Sequence, residues 1–180
     1  MHRLRFTTAS ALFEAFPTAV ADVGGPVVEQ ESLAYAAELA GSGNVMGALS
    51  FVAYLLPRRE AVHWACQSVR SLPGSPDAGE MACLEAAERW VRTPDEDLRF
   101  AAARTALGAQ QTSPATFAAY GAGYAGRTLA PPDLGPAPAA PHLTAQSVRC
   151  VFLLAGLRVA QDRQAAWRRT ALEAGVRLAT

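Results

Sequence analysis

The stretch Asn44-Val45-Met46-Gly47-Ala48-Leu49-Ser50-Phe51-Val52-Ala53-Tyr54-Leu55-Leu56-Pro57-Arg58-Arg59-Glu60-Ala61-Val62-His63-Trp64-Ala65-Cys66 decides the fold class. Asn44, the only Asn in the chain, has the side chain a helix N-cap requires. Behind it, Val45 to Leu56 is apolar apart from Ser50. At about twelve residues it falls short of the eighteen or more that a membrane span needs, so it reads as a buried helix. Pro57 suits the first turn of the next helix, where its missing N–H removes no hydrogen bond. From Arg58 to Leu72, Val62, Cys66 and Val69 form an apolar stripe, while Arg59, His63, Gln67 and Arg70 stack on a polar face. Two helices in succession, joined at a proline and without strand alternation, point to an all-α fold.

The same signals recur along the chain. Thr8 to Phe16 has helical spacing and stops at Pro17, and Ala19 to Glu29 reads as irregular, with Val27-Val28 its only strand-like piece. Glu31 to Ala40 is a helix ended by Gly41-Ser42-Gly43. Asp77 opens a helix to Arg92. Thr93-Pro94-Asp95-Glu96 combines an N-cap, a first-turn Pro and a capping-box Glu at the start of Pro94 to Leu107. Ser113-Pro114 repeats the device for a helix to Tyr124. Thr144 caps a helix from Ala145 to Ala160, and Asp162 to Leu178 closes the chain with Trp167, Leu172 and Val176 facing inward. The expected architecture is one all-α domain over residues 1–180, a compact bundle of about eight helices; a stack of helical hairpins is the open alternative. Five of the twelve prolines fall between Pro131 and Pro141. Residues 129–142 are therefore expected to run as polyproline-type chain, either a linker or an ordered strap with Leu134 as its apolar anchor; the strap is the favoured reading.

Composition supports a folded domain and excludes several chemistries. With 51% hydrophobic and 18% charged residues in 180, the chain has the balance of a globular protein. All sixteen basic residues are Arg, and Lys and Ile are absent. This bias, with abundant Ala and Pro, is the mark of a GC-rich bacterial genome. Without Lys the chain can offer no Schiff-base lysine, no pyridoxal-phosphate anchor and no phosphate-loop lysine. Formal net charge is zero, so no overall field steers it toward nucleic acid. Locally, six Arg between Arg149 and Arg177 face only Asp162 and Glu173, which reads first as solvated helix faces. Cys66, Cys83 and Cys150 are odd in number and scattered in apolar stretches, consistent with free thiols in a reducing cytoplasm. The N-terminal Met1 to Arg5 is basic, but Thr7, Thr8, Ser10 and Glu14 break up the apolar run after it, against a secretory leader.

The densest chemical cluster is the Pro57 to Cys66 segment. His63 and Cys66, three apart on a helix, have the spacing of a thiol–imidazole pair or of two metal ligands. Both readings lack their remaining parts: His2, His142, Cys83 and Cys150 add no ligand pattern, so neither a metal nor a cofactor is expected. An Arg-, Glu- and Trp-bearing helix end suits a partner contact better, since Trp and Arg dominate binding hot spots. Arg58, Arg59, Glu60, His63, Trp64 and Gln67 are the candidates there. Phe117, Tyr120 and Tyr124, at intervals of three and four, form a second aromatic face that serves either the core or a peptide groove.

Three separated motifs also carry a resemblance. Leu55 to Cys66 with its Pro-Arg-Arg-Glu-Ala-Val run, Leu129-Ala130-Pro131-Pro132-Asp133-Leu134, and Pro141-His142-Leu143-Thr144, with Trp90-Val91 between the first two, resemble a family of uncharacterised bacterial proteins containing a domain of unknown function. His63 departs from it, standing where a second Trp beside Trp64 is expected. The resemblance implies an association with type VI secretion loci, and hence an accessory, adaptor or chaperone role. The expectation is a cytoplasmic, non-enzymatic interaction protein that binds another protein, with no nucleic acid and no membrane span. The alternatives are a small enzyme using Cys66 and His63, and a helical module that binds a peptide or small molecule.

Overall fold

A computed structural model of the chain describes residues 5–131, 134–135 and 137–180. His2, and Pro132 and Asp133 of the second motif, lie outside the described residues. The described residues form ten α-helices and no strand: α1 (Ala9–Ala15), α2 (Ala19–Val23), α3 (Ser32–Gly41), α4 (Val45–Leu55), α5 (Arg58–Arg70), α6 (Ala78–Arg92), α7 (Glu96–Leu107), α8 (Pro114–Gly123), α9 (Leu143–Arg158) and α10 (Gln161–Ala179).

Two helices organise the packing. α4 is buried without a break from Gly47 to Leu55, as its all-round apolar sequence requires, and is flanked by α2, α3, α9 and α10. α8 buries eight of its ten residues, six of them Ala or Gly, among α5, α6, α7 and α9. Small side chains let the axes close up. A Cβ on Gly123 would stand 2.8 Å from the Cβ of Ala103 on α7, and one on Gly121 would stand 3.3 Å from Val62 on α5.

Several caps follow local chemistry. The Asn44 side chain accepts from the Gly47 N–H, Asp77 from Glu80, and Ser113 from Thr116 within a reciprocal capping box. Others differ from the sequence reading. α7 starts two residues late because Asp95, not Thr93, accepts from the Leu98 N–H at 2.8 Å, placing a full negative charge at the helix dipole. Glu96 cannot complete the expected box, since Arg99 holds its carboxylate through two hydrogen bonds of 2.9 and 2.6 Å. Thr144 does not cap α9 either. Its hydroxyl donates 3.2 Å to the Gly121 carbonyl, and the helix begins at Leu143, two residues before the expected Ala145.

The segment expected to be irregular contains α2, which ends on Gly24 in the left-handed region at φ 64°. Val27 and Val28 form no strand there and are exposed. Asp22 explains why so short a helix persists. Its carboxylate accepts from the Tyr54 hydroxyl on α4 at 2.5 Å and from Gln146 on α9 at 3.2 Å, while Arg149 donates to its carbonyl at 3.2 Å. Burial and the Asp22 hydrogen bond hold the Tyr54 phenol well above its ordinary range.

The proline-rich segment is not one straight strap. The Leu129 N–H donates to the Ala137 carbonyl at 2.6 Å and Ala139 to Arg127 at 2.9 Å, so the chain doubles back, with Gly135 at φ 83° in the loop. Non-proline residues supply the donors that the prolines lack. Leu134 lies in the loop at 73% exposure and anchors nothing in the core.

Candidate functional site

α5 positions most of the residues singled out in the sequence, and the structure divides them. Trp64 is 0% exposed, its ring centroid 4.2 Å from that of Phe152 on α9 and its Nε1 donating 2.8 Å to the Ala171 carbonyl on α10. It is a core residue and offers no surface to a partner, a correction to the hot-spot reading. The reason is tertiary: α8, α9 and α10 all pack on α5, leaving little more than the Arg59, His63, Gln67 and Arg70 stripe toward solvent.

The arginine pair acts on neighbouring helix ends. Arg58 Nη1 donates to the carbonyls of Ala125 and Gly126, at 2.7 and 3.1 Å, and Nη2 to that of Pro141 at 3.4 Å. It thus ties the carboxyl end of α8 to the returning arm of the proline segment. Arg99, 1% exposed, reaches the same end of α8 through Nη1 and the Gly123 carbonyl at 2.6 Å. Two cations therefore satisfy carbonyls that the end of the helix leaves without intrahelical donors. Arg59 does the same for α6, its Nε donating 2.7 Å to the Val91 carbonyl, while its two Nη groups have no partner among the described residues. Glu60 is half-buried and forms no ion pair among the described residues.

Between α5 and α6 runs an open groove of roughly 450 Å³, lined by His63, Cys66, Gln67 and Arg70 from α5 and by Glu88, Val91 and Arg92 from α6. Arg59 does not line it, although its Nε bonds the carbonyl of the lining residue Val91. At one end Arg70 and Glu88 form a two-bond ion pair, both bonds 2.8 Å, which holds the Glu88 carboxyl below its usual range. The other end differs. His63, Gln67 and Arg92 have no side-chain hydrogen bond among the described residues. Cys66 lies at the floor, 2% exposed, and burial pushes its thiol up to about 12.

A thiol raised so far bears on the enzymatic alternative. His63 and Cys66 do line the same groove, yet at neutral pH Cys66 is a protonated, enclosed thiol rather than a nucleophile. Burial also raises Cys83 and Cys150. Among the described residues no three His, Cys, Asp or Glu side chains converge as a metal site would need. No helix among them is long and apolar enough to cross a membrane.

Phe117, Tyr120 and Tyr124 lie elsewhere, on α8 and at its end. Their rings form a half-buried ladder, with Phe117 and Tyr120 centroids 5.9 Å apart and Tyr120 and Tyr124 stacked at 5.5 Å. Burial, and then the neighbouring Tyr120, raise the Tyr124 phenol. Phe117 and Tyr120 pack against the core, and none of the three lines the α5–α6 groove.

Sequence reasoning placed Arg59, His63 and Gln67 together but missed the opposite wall. Glu88 and Arg92, four apart on α6, carried a signal only in that they share a helix face with Glu85 and Val91 near it. No curated protein and no solved structure matches the chain. Residues 35–179 match the model of a family of unknown function, which covers α4 to α10 and α3 from Tyr35 on, and so includes both walls of the groove. The chain therefore belongs to the family of unknown function DUF6931.

Proposed function

We propose that the chain is a non-enzymatic interaction module whose partner protein docks in the α5–α6 groove. The observation that carries this reading is that His63, Gln67 and Arg92, from two helices, line one groove with no side-chain hydrogen-bond partner among the described residues, beside the apolar side chain of Val91. Polar groups left unmatched at a concave surface, next to apolar atoms, are what a partner's acceptors complete. The buried, protonated Cys66 supports binding over thiol chemistry in the same place. In the wider cell the role is that of an accessory, adaptor or chaperone of a bacterial secretion apparatus of the type VI class, in the cytoplasm, as the resemblance of the Pro-Arg-Arg-Glu-Ala-Val helix implies.

Capture from a lysate of the native host tests this. Immobilised protein is expected to retain a secretion component, to lose it when Gln67→Glu and Arg92→Glu reverse the groove, and to keep it when the exposed, remote Arg104→Glu is changed. A partner retained equally by all three proteins would place the contact outside the groove and refute the assignment.

A further inference from the structure

Resting on that reading, we infer that the groove recognises an acidic peptide segment of the partner, seating an Asp or Glu carboxylate between His63 and Arg92 with a small apolar side chain beside it on Val91. The groove is polarised along its length. At its Arg70 end the cation is already neutralised by Glu88, and Glu85 is close enough to act on the same guanidinium. At its other end Arg92 forms no ion pair among the described residues, and although Glu88 lies near enough to feel Arg92 and His63, its two hydrogen bonds go to Arg70. A carboxylate entering there meets the Arg92 guanidinium fork, to which its two oxygens are matched, and the neighbouring imidazole and Gln67 amide add donors.

The same polarity selects against other anions. A nucleic-acid strand is held by many phosphate contacts along a continuous cationic track. Here the track stops at Glu88 within about one helical turn of Arg92, and the chain as a whole has no net charge to supply it. An isolated inorganic anion would leave Val91 uncovered. A peptide carrying one or two carboxylates next to an aliphatic side chain matches both the cationic end and Val91.

Fluorescence anisotropy with the full chain tests the assignment, using a labelled ten-residue peptide of alternating Glu and Leu or Ala and the same peptide with every Glu replaced by Gln. The acidic peptide is expected to bind at least about tenfold more tightly than the Gln peptide, the scale of one charge-assisted hydrogen bond. Arg92→Glu and His63→Gln should erode that preference, and Arg104→Glu should leave it intact. Equal binding of the two peptides, or no binding of either, overturns the inference. So does displacement by inorganic phosphate beyond that of chloride at matched ionic strength, or tighter binding of a single-stranded oligonucleotide. If host-lysate capture still depends on Gln67 and Arg92 while the acidic peptide fails, only the peptide chemistry is wrong. If capture does not depend on the groove, the docking assignment itself fails.

Discussion

Gly175→Ala gives the sharpest test of how α10 closes the core. A Cβ at this position would lie 2.6 Å from Trp64 Cζ2, 2.7 Å from Cε2 and 3.0 Å from Val52 Cγ1. Ordinary carbon contacts lie near 3.5–4.0 Å, so something must move by about 1 Å. Trp64 cannot retreat easily, because its Nε1 is bound to the Ala171 carbonyl and its ring packs on Phe152. Overpacking of this kind costs roughly 1–3 kcal/mol, whereas Ala in place of Gly inside a helix returns about 1 kcal/mol. Because the ring is held at two edges, the upper part of the range applies, leaving a net loss of about 1–2 kcal/mol. For a chain of this size that lowers Tm by roughly 3–6 °C, read by circular dichroism. Trp64→Phe removes the Cε2–Cζ2 edge, so in that background Gly175→Ala should be neutral or stabilising, a coupling of about 1 kcal/mol or more. A Tm that rises in the wild-type background, or no coupling with Trp64, would refute the close approach.

The thiols, the ion pairs and Arg58 each carry a further expected outcome. Iodoacetamide near neutral pH should leave Cys66 unlabelled in native protein and modify it only after denaturation, with half-exposed Cys150 reacting first; peptide mapping that finds native Cys66 labelling would restore the thiol-enzyme reading. Glu88 and Glu96 are held below their ordinary value of 4.5 by Arg70 and Arg99, so their stabilisation is present above that pH and is lost as pH falls through their lower folded values. Urea midpoints should therefore drop between pH 5 and pH 3, and a Glu88→Gln, Glu96→Gln variant should show a flatter profile than wild type; an unchanged slope would contradict both pairings. Arg58→Ala should cost about 1–3 kcal/mol and speed hydrogen exchange at the Leu129 and Ala139 amides, because the end of α8 and the proline segment lose their common donor. Exchange unchanged at those two amides would show that Arg58 does not hold the segment.

What was legible in the sequence was local. The apolar Val45 to Leu56 run could bury itself only as a helix, and Asn44, Asp77 and Ser113 cap the turns directly after them, so both kinds of feature survive in the structure. Thr93 and Thr144 misled for a tertiary reason. Asp95 and the Gly121 carbonyl, respectively, offered partners that short-range pattern does not reveal. The same limit divided the candidate site. Helical spacing placed Arg59, His63 and Gln67 on one face, but the wall opposite them belongs to α6, some twenty to thirty residues further along. Trp64 looked like a hot spot because Trp and Arg are neighbours in sequence. It is enclosed because three other helices converge on that side of α5.

The distribution of the arginines also acquires a physical sense. Arg58, Arg59 and Arg99 each place a guanidinium on carbonyls at or just beyond the end of a neighbouring helix, a task for which several fixed N–H vectors on one group are suited. In a bundle where Ala and Gly bring axes close, helix ends are crowded against other helices and less accessible to water. Long, rigid donors reach them where short side chains cannot. The Pro-Arg-Arg-Glu-Ala-Val run is thus first a device for holding α6, α8 and the proline segment together.

The measurement that bears most directly on the groove as the functional surface is parallel capture from host lysate by wild type, the Gln67→Glu, Arg92→Glu variant and the Arg104→Glu control, each first shown by circular dichroism to share one Tm. The account expects one partner retained by wild type and control and lost from the groove variant. A partner retained by all three, or none retained by wild type, would contradict it.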